Sequence, residues 1–408
     1  MEVVHERCCG LDIHKRTVVA CLRTAVRQST KKETRTFGTT TGELLALADW
    51  LEAAGCTHVA MESTGSFWKP VYNVLEERFS LVLVNTRFLK LIPGRKTDAK
   101  DAEWIGDLLG HGLLRASFIP TGPERELREL TRYRTSLVRE RSSEANRIQK
   151  VLEGANIKLA SVATNVLGHS GRAMLAAIVD GVSDPRALAE LAQGHLRKKR
   201  VALEDALDGL IHSHPRFVLR LQLRHIVELD ELIEEISAEI EERLQPFQEA
   251  LELLQTIPGV GKRTAETILS EVGTNITRFP TARHLASWSG LCPGLNESGG
   301  KNQSGRTPKG SLWLKAVLIQ AAHAAARTRN TYLAGQYRRL ARRIGAKRAA
   351  IAVAHSLLVI TFRLLTDHTE YRDLNPDHFN NRNRDRSLRR LTYRLEQLGY
   401  KVTFEPVA

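Results

Sequence analysis

Several things are scarce in this sequence, and each scarcity excludes something. Its 408 residues hold only five cysteines. Apart from the adjacent Cys8 and Cys9 they are scattered, so neither a disulfide framework nor paired zinc knuckles can be built from them. No apolar run is expected to reach the roughly 18 residues of a membrane-spanning helix. The opening "MEVVHERCCG" lacks the apolar core of a signal peptide. These absences point to a soluble, non-secreted protein of a reducing cytoplasm, with no membrane partner. The sharpest shortage is local: from Val272 to Thr366 the only carboxylate is Glu297, against fifteen Lys and Arg.

That shortage explains the formal charge of +14 and the pI near 9.7. In residues 301–408, 21 Lys and Arg stand against 7 Asp and Glu, which is the whole excess. A solvated face normally mixes both signs, so a one-sided stretch points to phosphates and a nucleic-acid partner. Lys309 and the run Arg338, Arg339, Arg342 and Arg343 are the candidates on that side.

The length predicts two or three domains, and the patterning divides the chain at 1–122, 123–250, 251–370 and 371–408. The first hundred residues alternate. "RCCGLDI", "TVVACLR" and "ETRTFGT" read as strands, "TGELLALADWLEAAG" as a helix, "THVAMES" as a strand, "GSFWKPVYNVLEER" as a helix and "SLVLVN" as a strand. "TDAKDAEWIGDLLGHG" then reads as a helix capped at Thr97 or Asp98. This β-β-β-α-β-α-β-α order is that of a ribonuclease H-like domain. From Pro123 the character turns to long charged helices. Ile226, Leu229, Ile233, Ile236 and Ile240 recur at three- and four-residue steps, a coiled-coil seam. The basic Arg197–Arg200 cluster reads as a solvated face. "LQTIPGVGKRTAETILSEVG" carries a helix-hairpin-helix signature, whose turn at Gly259, Gly261 and Lys262 offers backbone N–H groups to a phosphate. The fold class is therefore α/β followed by all-α.

"GRKTDAKDA" sets Asp98 and Asp101 one helical step apart among Arg95, Lys96 and Lys100. Asp12 follows the apolar part of the first strand and Glu62 ends "THVAME". In a ribonuclease H-like sheet those strands are central neighbours, so all four acids would converge at one rim. Four carboxylates together repel unless cations neutralise them, and hard oxygen ligands suit Mg²⁺ or Mn²⁺. Such ions support phosphodiester cleavage. The neighbouring Arg95, Lys96 and Lys100 would guide a polyanion. Farther on, "NESGGKNQSGRTPKG" places Ser298 before a glycine pair, with Lys301 and Arg306 placed to neutralise a phosphate. A serine needs activation to become a nucleophile, and no triad is visible, since His284 and His323 are isolated.

These residues together resemble the DEDD transposases of insertion-sequence family one-ten, the bridge-RNA-guided recombinases. The resemblance runs nearly the whole chain to about residue 370. "GLDIHK", "MESTG" and "KTDAKDA" resemble the family's acidic quartet in its RuvC-like domain. "IPGVG", "SGLCPG" and "SGGK" resemble its C-terminal transposase domain, with Ser298 at the nucleophile's place. The resemblance implies a composite site, with acids from one subunit and serine from another. It also implies a phosphoserine link to donor and target DNA, a structured non-coding guide RNA, and a tetramer joined through the coiled coil. A longer middle helical region and a basic tail depart from the family pattern. The competing expectation is a metal-dependent nuclease resembling a junction resolvase, which needs the acids but not Ser298. A binding protein with dead chemistry is disfavoured by the intact quartet.

Overall fold

The structure, a computed structural model, describes residues 3–26, 29–63, 65–85, 89, 101–273, 275–294, 297–298, 301–302, 307–375 and 384–403. The chain forms two compact units, Met1–Pro120 and Thr121–Ala408.

The first unit is a five-stranded mixed sheet with helices. Its elements are β1 (Arg7–Ile13), β2 (Thr17–Val26), β3 (Ser29–Gly38), α1 (Thr41–Ala53), β4 (His58–Glu62), α2 (Trp68–Leu75), β5 (Ser80–Val84) and α3 (Asp101–Gly110). The strand order is β3-β2-β1-β4-β5. β1, β2 and β3 pair antiparallel as a meander, whereas β1, β4 and β5 run parallel. Strand alternation gives β1 two buried faces. Cys9, Leu11 and Ile13 enter a core with Leu44, Leu47 and Leu51 of α1 and Val71 and Leu75 of α2. Cys8 faces the other way, into a smaller core with Ala60 of β4 and Ile105, Leu108 and Leu109 of α3. Cys8, Cys9, Cys21 and Cys56 are free and buried. Burial pushes the Cys8 thiol up to about 11, so it serves as a core hydrophobe.

The second unit is almost wholly helical. It begins with α4 (Gly122–Gly154), 33 residues opened by a capping box in which Glu124 accepts from the Thr121 backbone N–H at 2.9 Å. Then follow α5 (Leu159–Val162), α6 (His169–Val179), α7 (Pro185–Glu190), α8 (Arg200–Leu207) and the 32-residue α9 (Ser213–Leu244). Next come α10 (Gln248–Gln255), α11 (Lys262–Val272), α12 (Ala282–Ser289), the short strands β6 (Glu297–Ser298) and β7 (Lys301–Asn302), and α13 (Leu312–Arg327). The C-terminal helices are α14 (Tyr332–Ile344), α15 (Ala346–Asp367) and α16 (Arg384–Gln397).

α4 and α9 pack as an antiparallel pair, pinned by Arg141 to Asp230 near the middle and by Arg243 to Glu126 at 2.6 Å near one end. Ile226, Leu229, Ile233, Ile236 and Ile240 are buried inside this single chain. The seam expected to join subunits is therefore covered by the chain's own helices and is not free to join another copy. α4 also packs on α11, so the helical region and the C-terminal part share one unit. There Arg134 meets Glu266 at 2.7 Å and Arg132 grips the fully buried Glu271 with two nitrogens.

One sequence expectation is corrected. α15 is long and apolar enough to cross a membrane, but half of that stretch is buried within its own unit. It packs against α12, α13 and α14, as a core helix of a helical domain does.

Candidate active site and nucleic-acid interface

Asp12 and Glu62 are neighbours by register. Leu11 of β1 pairs with Met61 of β4, and each acid is the next residue along its strand. Both fall on the face covered by α3, since Asp12 alternates with Gly10 and Cys8, and Glu62 with Ala60. Asp101 is the first described residue of α3, where the helix dipole favours a carboxylate.

What brings α3 down onto β1 is the absence of side chains at the crossing. A Cβ on Gly10 would lie 2.2 Å from the Ala102 carbonyl oxygen and 2.3 Å from the Gly106 nitrogen. Lys32 of β3 reaches Asp107 at 2.6 Å and the buried Arg23 of β2 lies 3.4 Å from it, tying the same helix to the sheet. Gly10, Gly106 and Asp107 escaped the sequence reasoning. "CCGLD" with a helical glycine is the signal that points to them.

The carboxylates act on one another. Burial holds Asp12 above the usual carboxylate range; His14 opposes this, and Asp101 and Glu62 add to it. His14, in the tight turn to β2, puts Nε2 3.1 Å from Asp12 Oδ2. The sequence reasoning gave it no role. Asp98 lies outside the described residues, as do Arg95, Lys96, Lys100 and Arg306. Among the described residues no three acid, histidine or cysteine side chains close into a metal cage. The donor type of Asp12, Glu62 and Asp101 fits a hard divalent cation, and their mutual repulsion is what such a cation would relieve.

Ser298 sits in a two-residue hairpin. It is the register partner of Lys301, and Glu297 is the partner of Asn302, with only Gly299 and Gly300 between the strands.

In the C-terminal part the basic residues are exposed: Lys309, then Arg338, Arg339, Arg342 and Arg343 on α14, continued by Lys347 and Arg348 on α15. The turn before α11 is used differently from expectation. Gly259 has φ +88°, and a Cβ there would lie 2.5 Å from the Ala325 nitrogen of α13. Close packing, rather than phosphate approach, accounts for this glycine. Lys262 pairs with Glu241 of α9 at 2.7 Å. Gly261 faces open space at the start of α11 and remains available to a phosphate. His284 bonds with Thr281 at 2.8 Å, and His323 rests edge-on against Tyr337.

Comparison with known proteins adds a separate line. Residues 9–157 match the IS110 DEDD transposase family model, described as "Transposase". Residues 251–338 match one described as "Transposase IS116/IS110/IS902 family". The first span contains all four acids and the second contains Ser298. A probable family 20 transposase of Pseudomonas aeruginosa is 27% identical over 325 residues, covering 77% of this chain and 85% of its own. An insertion element IS110 uncharacterized 43.6 kDa protein of Streptomyces coelicolor is 28% identical over 321 residues, covering 72% and 76%. A pilin gene-inverting protein of Moraxella bovis is 47% identical over a shorter stretch of 47 residues, covering 12% and 14%.

Proposed function

This chain belongs to the IS110 family of DEDD transposases, and from that premise we propose that it is the RNA-guided recombinase of a mobile insertion sequence. It cleaves and exchanges DNA strands with a carboxylate site and a serine nucleophile. The observation that carries this reading is the meeting of Asp12, Glu62 and Asp101 on one face of a β3-β2-β1-β4-β5 sheet. That strand order is the one a RuvC-like domain uses.

Asp12, Glu62, Asp98 and Asp101 would hold Mg²⁺ or Mn²⁺, which supplies Lewis acidity at the phosphate. His14 steadies the Asp12 carboxylate. The Ser298 hydroxyl attacks phosphorus, so a Ser298 O–P bond forms as a DNA O–P bond breaks. The serine proton leaves, and the released strand's oxygen takes one up. The phosphoserine link keeps the phosphodiester energy, and attack by the partner strand's oxygen then rejoins DNA and frees the serine. Lys301 and Arg306 offset the phosphate charge, while Arg95, Lys96 and Lys100 steer the strand toward the acids. Acids and serine come from different subunits of a tetramer working on donor and target DNA at the nucleoid. A structured non-coding RNA chooses both sites by base pairing, while the protein reads backbone and shape.

The test is reconstitution. RNA co-purifying with the full-length protein is sequenced, its target-pairing segment is rewritten, and strand exchange is assayed. Exchange should move to the rewritten target, and Asp12→Asn or Ser298→Ala should each abolish it. Exchange that ignores the RNA would refute guidance. Cleavage by Ser298→Ala at the wild-type rate would favour a resolvase-like nuclease that uses water.

A further inference from the structure

We propose that Lys315 is a positioning residue for the Ser298 hairpin, its single ammonium tying together both feet of the loop that carries it. The inference rests on the serine reading above, because only then does the hairpin's position matter to chemistry.

The loop leaves α12 at Gly290 and returns to α13 at Ser311. Its feet touch backbone to backbone. A Cβ on Gly310 would lie 2.3 Å from the Ser289 carbonyl carbon and 2.4 Å from the Gly290 nitrogen. One on Gly290, at φ +71°, would lie 2.7 Å from the Pro308 oxygen. Neither Gly290 nor Gly310 leaves room for a side chain, so the two feet meet backbone to backbone there.

Closure alone does not set the register of one foot against the other. Lys315, on the first turn of α13, does that. Its Nζ donates to the Gly290 carbonyl at 3.3 Å and to the Thr307 hydroxyl at 2.5 Å, one partner on each foot. Among the described residues no carboxylate lies within ion-pair distance of it. A half-buried cation spent on two neutral oxygens is an unusual arrangement, since charged groups leaving water are normally paired with opposite charge.

The same turn of α13 is anchored from behind. Ser311 caps the helix by accepting from the Leu314 N–H at 3.2 Å, and its hydroxyl donates to the buried Glu271 at 2.9 Å. Glu271 is in turn gripped by Arg132 of α4. Lys315 therefore acts from a fixed base, and its displacement moves the loop rather than the helix. A shift of about 1 Å in a nucleophile can cost roughly a hundredfold in rate.

The test uses full-length protein with its co-purified RNA and the variants Lys315→Met, Lys315→Arg and Thr307→Val. Thr307→Val removes one partner without touching α13, so the question survives misfolding of Lys315→Met. Hydrogen exchange across residues 295–306 is read without DNA, and rate, DNA affinity and salt slope are read with it. Exchange in that segment should rise about tenfold in Lys315→Met and less in Thr307→Val, with α11 and α14 unchanged. The rate of Ser298–DNA adduct formation at saturating DNA should fall at least about tenfold, with affinity and salt slope unchanged and partial recovery in Lys315→Arg. Unchanged exchange in both Lys315→Met and Thr307→Val would overturn the proposal. So would a salt slope lowered by about one unit, which marks a direct phosphate contact. If Ser298→Ala still cleaves, the serine reading fails, and the exchange data still decide whether Lys315 holds the loop.

Discussion

Gly10 of β1 and Gly106 of α3 meet so closely that a methyl group on Gly10 would lie 2.3 Å from the Gly106 nitrogen. The converse is not true: a methyl on Gly106 would find its nearest neighbours at 3.4 and 3.5 Å, ordinary contact. The crossing that carries Asp101 toward Asp12 is thus asymmetric. Gly10→Ala should cost about 1–3 kcal/mol from overpacking and displace the helix. Gly106→Ala should be neutral or gain up to about 1 kcal/mol in helix propensity. Urea midpoints of the two variants check this, and equal losses would contradict it.

The protonation of Asp12 gives a pH signature. Its folded state holds the proton more tightly than the unfolded chain, because burial disfavours the charged form, with His14 opposing and Asp101 and Glu62 adding. The stability penalty is therefore absent below the unfolded carboxylate's range and grows as pH rises through the folded value. Asp12→Asn should raise Tm by a few degrees at pH 7 and lose that advantage near pH 3. Added Mg²⁺ should stabilise the wild type and not this variant. A variant less stable than wild type at pH 7 would contradict the account.

Two glycines of the turn before α11 should part company. Gly259→Ala combines a left-handed φ with a backbone collision at α13 and should cost about 2–4 kcal/mol. Gly261 is open, so Gly261→Asp should improve the helix cap while its charge repels a phosphate there. Thermal melts and DNA anisotropy together distinguish the two. Stronger DNA binding by Gly261→Asp would remove this helix start from the interface.

The exposed arginines of α14 are testable as a set. Each phosphate they neutralise adds nearly one unit to the log–log salt dependence on duplex DNA. Replacing Arg338, Arg339, Arg342 and Arg343 with Gln should lower the slope by about 3–4 units if all four engage. An unchanged slope and affinity would mark them as solvated surface.

Much of the first unit was legible because its signals are local and periodic. Short apolar strands, capped helices and turn residues fixed the element order, and with it the adjacency of Asp12 and Glu62. What the sequence hid depends on contacts between distant segments. Gly10 reads as an ordinary strand glycine until α3 crosses it. The three- and four-residue spacing of Ile226 to Ile240 shows that a face is buried, but not whether the chain's own α4 or another copy buries it. Gly259 reads equally well as a phosphate cradle or as a packing contact, and only the approach of α13 decides. Lys315 looked like one more basic residue, because both of its partners are neutral and one is a backbone carbonyl.

The central claim is that Ser298 becomes covalently joined to DNA in a reaction that needs the acids. The most direct measurement stalls a strand-exchange reaction, denatures it, digests the protein and seeks a nucleotide adduct by mass spectrometry. The account predicts an adduct on the Ser298 peptide, none on the neighbouring Ser304, and none in Asp12→Asn, Asp101→Asn or excess chelator. DNA cleaved at the wild-type rate by Ser298→Ala, with no protein–DNA adduct, would contradict it.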